Sequence, residues 1–123
     1  MKSLLPIVLL FWLGLTGFHG NVYADEITIT TAQETEVPIQ VFPADGDRLV
    51  LLLPSEHGYF PGHMQLAKGI ADQGTEVWML DLFTAYYMPV STAGMKSFSP
   101  ADIVYVAEQA YRQTGKEIYL LTN

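Results

Sequence analysis

The sequence predicts an α/β fold in which a pair of antiparallel strands leads into a mainly parallel sheet with helices on its faces. Three observations predict it. From Arg48 onward short apolar runs alternate with helical patterns, some of these runs are continuous enough to be covered on both faces, and the segment before Arg48 alternates apolar and polar residues with period two.

A targeting segment precedes the fold. Met1-Lys2-Ser3 is a short basic start, Leu4 to Phe18 is almost wholly apolar, and Val22-Tyr23-Ala24 places small or compact residues where a signal peptidase reads. Residues 1–24 are expected to be a signal peptide, and 25–123 the N-terminal part of one α/β domain. The apolar run is shorter than the roughly 20 residues a spanning helix needs, and it carries Pro6, so no stable membrane span is expected after signal cleavage. Export to a periplasm or to the medium follows from this reading. The absence of cysteine excludes a disulfide framework, thiolate metal ligation and a lipid-modified cysteine. A formal net charge of −7 argues against a nucleic-acid partner, because such binding relies on Lys and Arg replacing counterions on phosphates.

Glu26 to Thr31 places Ile27 and Ile29 on one face, and Glu36 to Phe42 does the same with Val37, Ile39 and Val41. Pro38 removes a ladder donor and predicts an edge position or a bulge for the second strand. Asp45-Gly46-Asp47 tolerates positive φ in a tight turn, so an antiparallel meander is expected to feed the strand at Arg48. Leu49 to Leu53 reads as a central strand. After the turn at Pro61-Gly62 a helix is expected from His63 to Gln73, burying Leu66, Ala67, Ile70 and Ala71 and ending at Gly74. Thr75 to Leu82 returns as a strand with Val77, Trp78, Met79 and Leu80 as its buried body, whereas Phe83 to Phe98 lacks periodicity. Ser99-Pro100-Ala101-Asp102 reads as an N-cap, a proline at the first helical position and an acidic third residue, close to a capping box. Ile103, Val106, Ala107, Ala110 and Tyr111 give that helix its apolar stripe, Gly115 closes it, and Glu117 to Leu121 reads as another buried strand.

These residues resemble the N-terminal half of the α/β-hydrolase superfamily. In many members the third strand ends in His-Gly followed by an oxyanion-hole residue, a helix carrying Leu-Ala follows, and a Gly turn leads to a fourth strand ending in Asp-Leu. Here Leu51 to Leu53 match the strand end, Leu66-Ala67 the helix pair, Gln73-Gly74 the turn and Asp81-Leu82 the tip of the fourth strand. Pro54-Ser55 stands where His-Gly usually does, which is a departure, and Glu56 takes the oxyanion position. His57-Gly58 is the same dipeptide displaced by a few residues, but aligning it needs a matching deletion before the helix. The fifth strand of the superfamily runs into Gly-x-Ser-x-Gly, the nucleophile elbow. Ile118 to Leu121 match that strand, Thr122 departs from the first Gly, and Asn123 takes the residue before the nucleophile.

The resemblance implies a three-layer sandwich of α/β-hydrolase type, truncated before the nucleophile, with no catalytic residue inside this sequence. It implies an oxyanion donor in the backbone N–H of Glu56, and a substrate surface drawn from Ser55, His57, Tyr86 and Tyr87, with Met88 and Phe98 as further apolar candidates. In the superfamily the catalytic histidine follows the nucleophile in chain order, so neither His57 nor His63 is expected to be the base. Asp81 is expected to bond neighbouring loop N–H groups at the strand tip. His57, His63 and Glu56 lie on too short a turn to converge on a metal, and no G-x-G-x-x-G or Walker loop follows a strand, so neither a metal nor a cofactor is expected. The implied activity of the full-length form is serine-dependent hydrolysis of a small-molecule or lipid-like ester or amide, the fragment itself being inactive. Thr122 and Pro54-Ser55 also admit a non-catalytic exported α/β binding or scaffolding module.

Overall fold

The alternating segments pair first. Strands β1 (Asp25–Thr30) and β2 (Glu36–Phe42) form an antiparallel hairpin with Ile27 opposite Ile39 and Ile29 opposite Val37, which brings the apolar side chains of both onto one face. The Glu34 N–H donates to the Thr31 carbonyl and the Thr31 N–H to the Thr35 carbonyl, both at 2.9 Å, with Glu34 at φ 66°. This is a three-residue loop, a turn followed by one left-handed residue. The computed structural model describes residues 25–122, so the expected signal peptide and Asn123 lie outside the described residues.

The chain continues through β3 (Arg48–Leu53), α1 (Pro61–Asp72), β4 (Glu76–Leu80), two short helices α2 (Leu82–Ala85) and α3 (Thr92–Lys96), then α4 (Pro100–Thr114) and β5 (Glu117–Thr122). The five strands form one mixed sheet in the order β1-β2-β4-β3-β5, with β2 antiparallel to β4 and β3 parallel to both β4 and β5. Helix α1 packs on one face over Phe42, Leu52, Val77 and Met79, contributing Ala67. On the other face Val106 and Ala110 of α4 and Leu82 of α2 cover Val37, Ile39, Leu49, Leu51, Trp78 and Leu80. The result is helix, sheet, helix, and β3 and β4 read as continuous apolar runs because both of their faces are covered.

Several expectations are corrected. The hairpin does not feed β3 as a meander, because β4 inserts between β2 and β3 and supplies the second neighbour that a wholly apolar strand requires. Strand β2 is consequently interior, without a need for the edge position that Pro38 suggested. The Pro38 carbonyl accepts the Asp81 N–H at 2.9 Å, so the missing Pro38 donor would have met the Asp81 carbonyl. That carbonyl is already taken by the Ala85 N–H of α2 at 3.1 Å, and the proline costs no ladder bond.

Leu66 and Tyr111 project from their helices into solvent, and β5 is far from buried, with Leu120 59% exposed. It has a neighbour on one side only among the described residues, and Tyr119 and Leu121 on its other face are open as well. The segment Phe83 to Phe98 holds two helices too short to show a period. Their caps are legible instead: the Asp81 carboxylate accepts from the Thr84 N–H at 3.2 Å and the Thr84 hydroxyl at 2.8 Å, and Ser91 Oγ accepts from the Gly94 N–H at 2.9 Å.

Two turns meet at the amino ends of the strands. The Gly46 N–H donates to the Gly74 carbonyl at 2.9 Å, and a Cβ on Gly46 would stand 2.1 Å from that oxygen. The left-handed glycines of the described chain are Gly58, Gly74 and Gly115, so Gly46 is required for close approach and not for positive φ. Gly46→Ala is expected to destabilise by about 1–3 kcal/mol, read in denaturant titration as a lowered midpoint with an unchanged slope. Beside these turns Lys116 Nζ reaches Glu76 Oε1 at 2.7 Å and the Ala44 carbonyl at 2.5 Å, while the Trp78 indole N–H donates to Glu76 Oε2 at 2.7 Å. Glu76 is buried, and each of its oxygens has a partner.

Candidate active site

Parallel strands bring their carboxyl ends to one edge of the sheet, and chemistry in such folds gathers just beyond it. Leu53 at the end of β3 is the register partner of Thr122 at the end of β5, so these two strand tips lie side by side. The loop after β3 is tightly folded. The Gly58 N–H donates to the Ser55 carbonyl at 2.9 Å, the His57 N–H donates to Ser55 Oγ at 3.2 Å, and Gly58 adopts φ 72°. Tyr59 then ties the loop to the sheet, its hydroxyl shared between the carbonyls of Leu52 at 2.7 Å and Leu80 at 2.8 Å. Burial, and then the charge of Asp81, push the Tyr59 phenol far up, so it remains a neutral donor to those carbonyls.

Ser55, Glu56 and Thr122 share a cleft of ≈ 460 Å³ walled by Leu53, Leu82, Met95 and Phe98. The Glu56 N–H donates to no acceptor among the described residues. Its carboxylate accepts from the Thr92 hydroxyl of α3, and the exposed His57 imidazole lies 3.7 Å from it. The loop is thereby joined to α3, which also packs its approach segment on Gly58 through Val90.

The other candidates lie elsewhere. His57 is exposed on the turn and does not line this cleft. Tyr87 is 86% exposed, held at φ 54° after α2. Tyr86 is engaged in a polar network: its hydroxyl donates to Asp102 Oδ2 at 2.5 Å and accepts the Ser99 N–H at 3.1 Å, and its ring stacks on Phe98 with centroids 5.7 Å apart. The expected capping box of α4 does not form: Ser99 makes no side-chain cap bond, the Asp102 N–H donates to the Ser99 carbonyl, and the Ser99 N–H is taken by the Tyr86 hydroxyl. Burial alone would push the Asp102 carboxyl up, but the hydroxyls of Tyr86, Thr31 and Thr35 outweigh it and hold the group below the usual carboxylate range. Sequence reasoning did not single out Leu82 and Met95 as walls. Their signals were the caps Asp81-x-x-Thr84 and Ser91-x-x-Gly94, which mark the helices that carry them to the strand tips.

Among the described residues no group of three or more metal-ligating side chains converges, and no helix is long and apolar enough to cross a membrane. What the arrangement offers is a loop whose Glu56 N–H has no acceptor among the described residues, and an apolar wall, around one cleft with the tip of a parallel strand.

A hairpin followed by parallel strands in the order β4-β3-β5, helices on both faces, and the β3 loop beside the β5 tip define the α/β-hydrolase fold. No protein-family model matches the chain, and no curated protein does. Among solved structures the chain is similar to a candidate dienelactone hydrolase of Klebsiella pneumoniae subsp. pneumoniae, with 21% identity, a TM-score of 0.56, and 83% of this chain and 49% of that one covered. It is similar also to a cold-adapted esterase from an Arctic intertidal metagenomic library, at 16% identity and TM-score 0.54, covering 83% of this chain and 51% of that one. Brefeldin A esterase, a bacterial homologue of human hormone sensitive lipase, matches at 15% identity and TM-score 0.51, over 80% of this chain and 30% of its own. At such identities the likeness shows the fold. The chain spans about half or less of the length of these structures.

Proposed function

We propose that these residues are the N-terminal half of an exported serine hydrolase of α/β-hydrolase type, acting on a small-molecule or lipid-like ester or amide, and that this half alone is inactive. The observation that carries the reading is the shared cleft, in which the Glu56 loop and the tip of β5 at Thr122 face one apolar-walled space. A nucleophile just beyond that tip would attack an acyl carbon held in the cleft, and the Glu56 N–H would donate to the oxyanion as the carbonyl becomes tetrahedral. Leu82, Met95 and Phe98 would take the acyl chain out of water. The open faces of β5 support a larger domain, because a strand bearing Tyr119, Leu120 and Leu121 is suited to being covered by further chain. Export is supported by the leader pattern of residues 1–24 alone.

A second reading, a non-catalytic binding module, is favoured by one feature: Thr122 places a side chain where the elbow prefers glycine. One assay separates the two. Protein expressed from the complete reading frame is expected to hydrolyse p-nitrophenyl butyrate and to lose that activity on treatment with a fluorophosphonate, while residues 25–123 alone give no turnover. Folded full-length protein with no turnover and no labelling would establish the binding module instead.

A further inference from the structure

A second cleft, of ≈ 430 Å³, lies on the α1 face of the sheet, beside the flank of α1. The register builds it. Glu26 stands opposite Gln40 and Gln40 opposite Met79, so these three residues form a row across β1, β2 and β4 on the face that α1 covers only in part. Two residues beyond Met79, past the end of β4, Asp81 comes to the same face. Tyr59, Phe60 and Met64, at and before the start of α1, close the opposite side.

The chemistry of this lining is lopsided. Its middle is aromatic and thioether surface, it carries the carboxylates of Glu26 and Asp81, and no lining residue among the described ones is basic. Asp81 spends its hydrogen-bonding capacity on Thr84 alone, and Glu26 forms no ion pair among the described residues. Among the described residues, therefore, no positive charge pairs with either carboxylate.

We propose that this cleft is a binding site for a small organic cation with an apolar body, an aryl- or alkylammonium ion. The hydrocarbon part would lie on Met64 and Met79, whose unbranched thioethers adapt to irregular shapes and make favourable contacts with aromatic rings. The ammonium would face Glu26 and Asp81, with the Tyr59 and Phe60 rings adding the attraction of an aromatic face for a cation. A chain of formal net charge −7 concentrates cations around itself and repels an anion of the same shape. This inference does not rest on the proposed hydrolase: the cleft lies on the sheet face opposite α4 and shares no described lining residue with the cleft at Glu56, although Tyr59 and Phe60 belong to the same loop between β3 and α1.

The test is titration of the whole protein, labelled at its methionine methyl groups, with benzylammonium, benzyl alcohol and benzoate, followed by NMR. Benzylammonium is expected to shift the Met64 and Met79 methyl signals saturably, benzyl alcohol to bind about 25-fold more weakly because it forgoes both carboxylates, and benzoate to leave them unmoved. Glu26→Gln and Asp81→Asn are each expected to weaken benzylammonium binding by about fivefold while leaving benzyl alcohol unchanged. Both variants keep the fold readable, because asparagine caps a helix as well as aspartate and Glu26 lies on the outer strand β1. Equal binding of the cation and the alcohol, shifts confined to other methionines, or no response to any of the three would each overturn the proposal.

Discussion

Lys116→Ala is expected to remove about 3 kcal/mol of folding stability and to lower the melting temperature by more than ~10 °C. The loss comes from what remains. Glu76 is 8% exposed at the start of β4, and without the ammonium its Oε1 keeps a negative charge out of water with no counter-charge, while the Ala44 carbonyl loses its donor as well. Replacing both partners, as in Glu76→Leu with Lys116→Met, is expected to recover about half of the loss. The remaining deficit of about 1–2 kcal/mol reflects the Trp78 indole N–H, which then has no acceptor. Thermal unfolding of the two variants beside the parent measures this directly. A single-variant loss below about 1 kcal/mol would show the pair to behave as a solvated surface pair.

Asp102→Asn is expected to cost about 2 kcal/mol at neutral pH, and the cost should fade in acid. Asp102 is 1% exposed and accepts from Tyr86, with the hydroxyls of Thr31 and Thr35 also turned to it, so one carboxylate links α4 to the β1–β2 turn and to the segment after α2. The amide keeps one acceptor but turns an N–H₂ towards hydroxyl donors and removes the charge that strengthens their bonds. Because the folded carboxyl is held below the ordinary range, its stabilisation is fully present above the unfolded value of about 3.9 and is lost as the pH falls through the lower folded value. Denaturation midpoints of parent and variant should therefore converge under acid conditions. Parallel curves at all pH values would mean that the carboxylate charge contributes nothing to this junction.

The elements were legible where one face decides the pattern. Period two in Ile27, Ile29, Val37, Ile39 and Val41, and the capped stripe of α4 with Val106 and Ala110 buried, followed from burial of a single face, which local sequence records. Strand order was less legible. Whether β2 neighbours β3 or β4 is decided by the match of distant apolar strands, and Pro38 misled because its missing donor falls where Asp81 has already committed its carbonyl to a helix. The exposure of β5 was hidden for the opposite reason, since Ile118 to Leu121 reads as a strand with two covered faces and the described residues cover neither fully.

At the site, Ser55 and Glu56 could be placed by following the loop after an aliphatic strand, and they do line the cleft. Tyr86 could not, because nothing within its own segment says that its hydroxyl is taken by Asp102, a residue 16 positions later. Exposed Tyr87 and His57 show the same limit: residue type and loop position indicate that a side chain can face a substrate, whereas the turn geometry decides where it points.

The most direct measurement is peptide mapping of the fluorophosphonate adduct on the protein expressed from its complete reading frame. A serine elbow built on β5 predicts a single adduct on the residue that directly follows Asn123, beside the Glu56 loop. A folded protein that stays unlabelled, or an adduct on a residue far from the tip of β5, would contradict it.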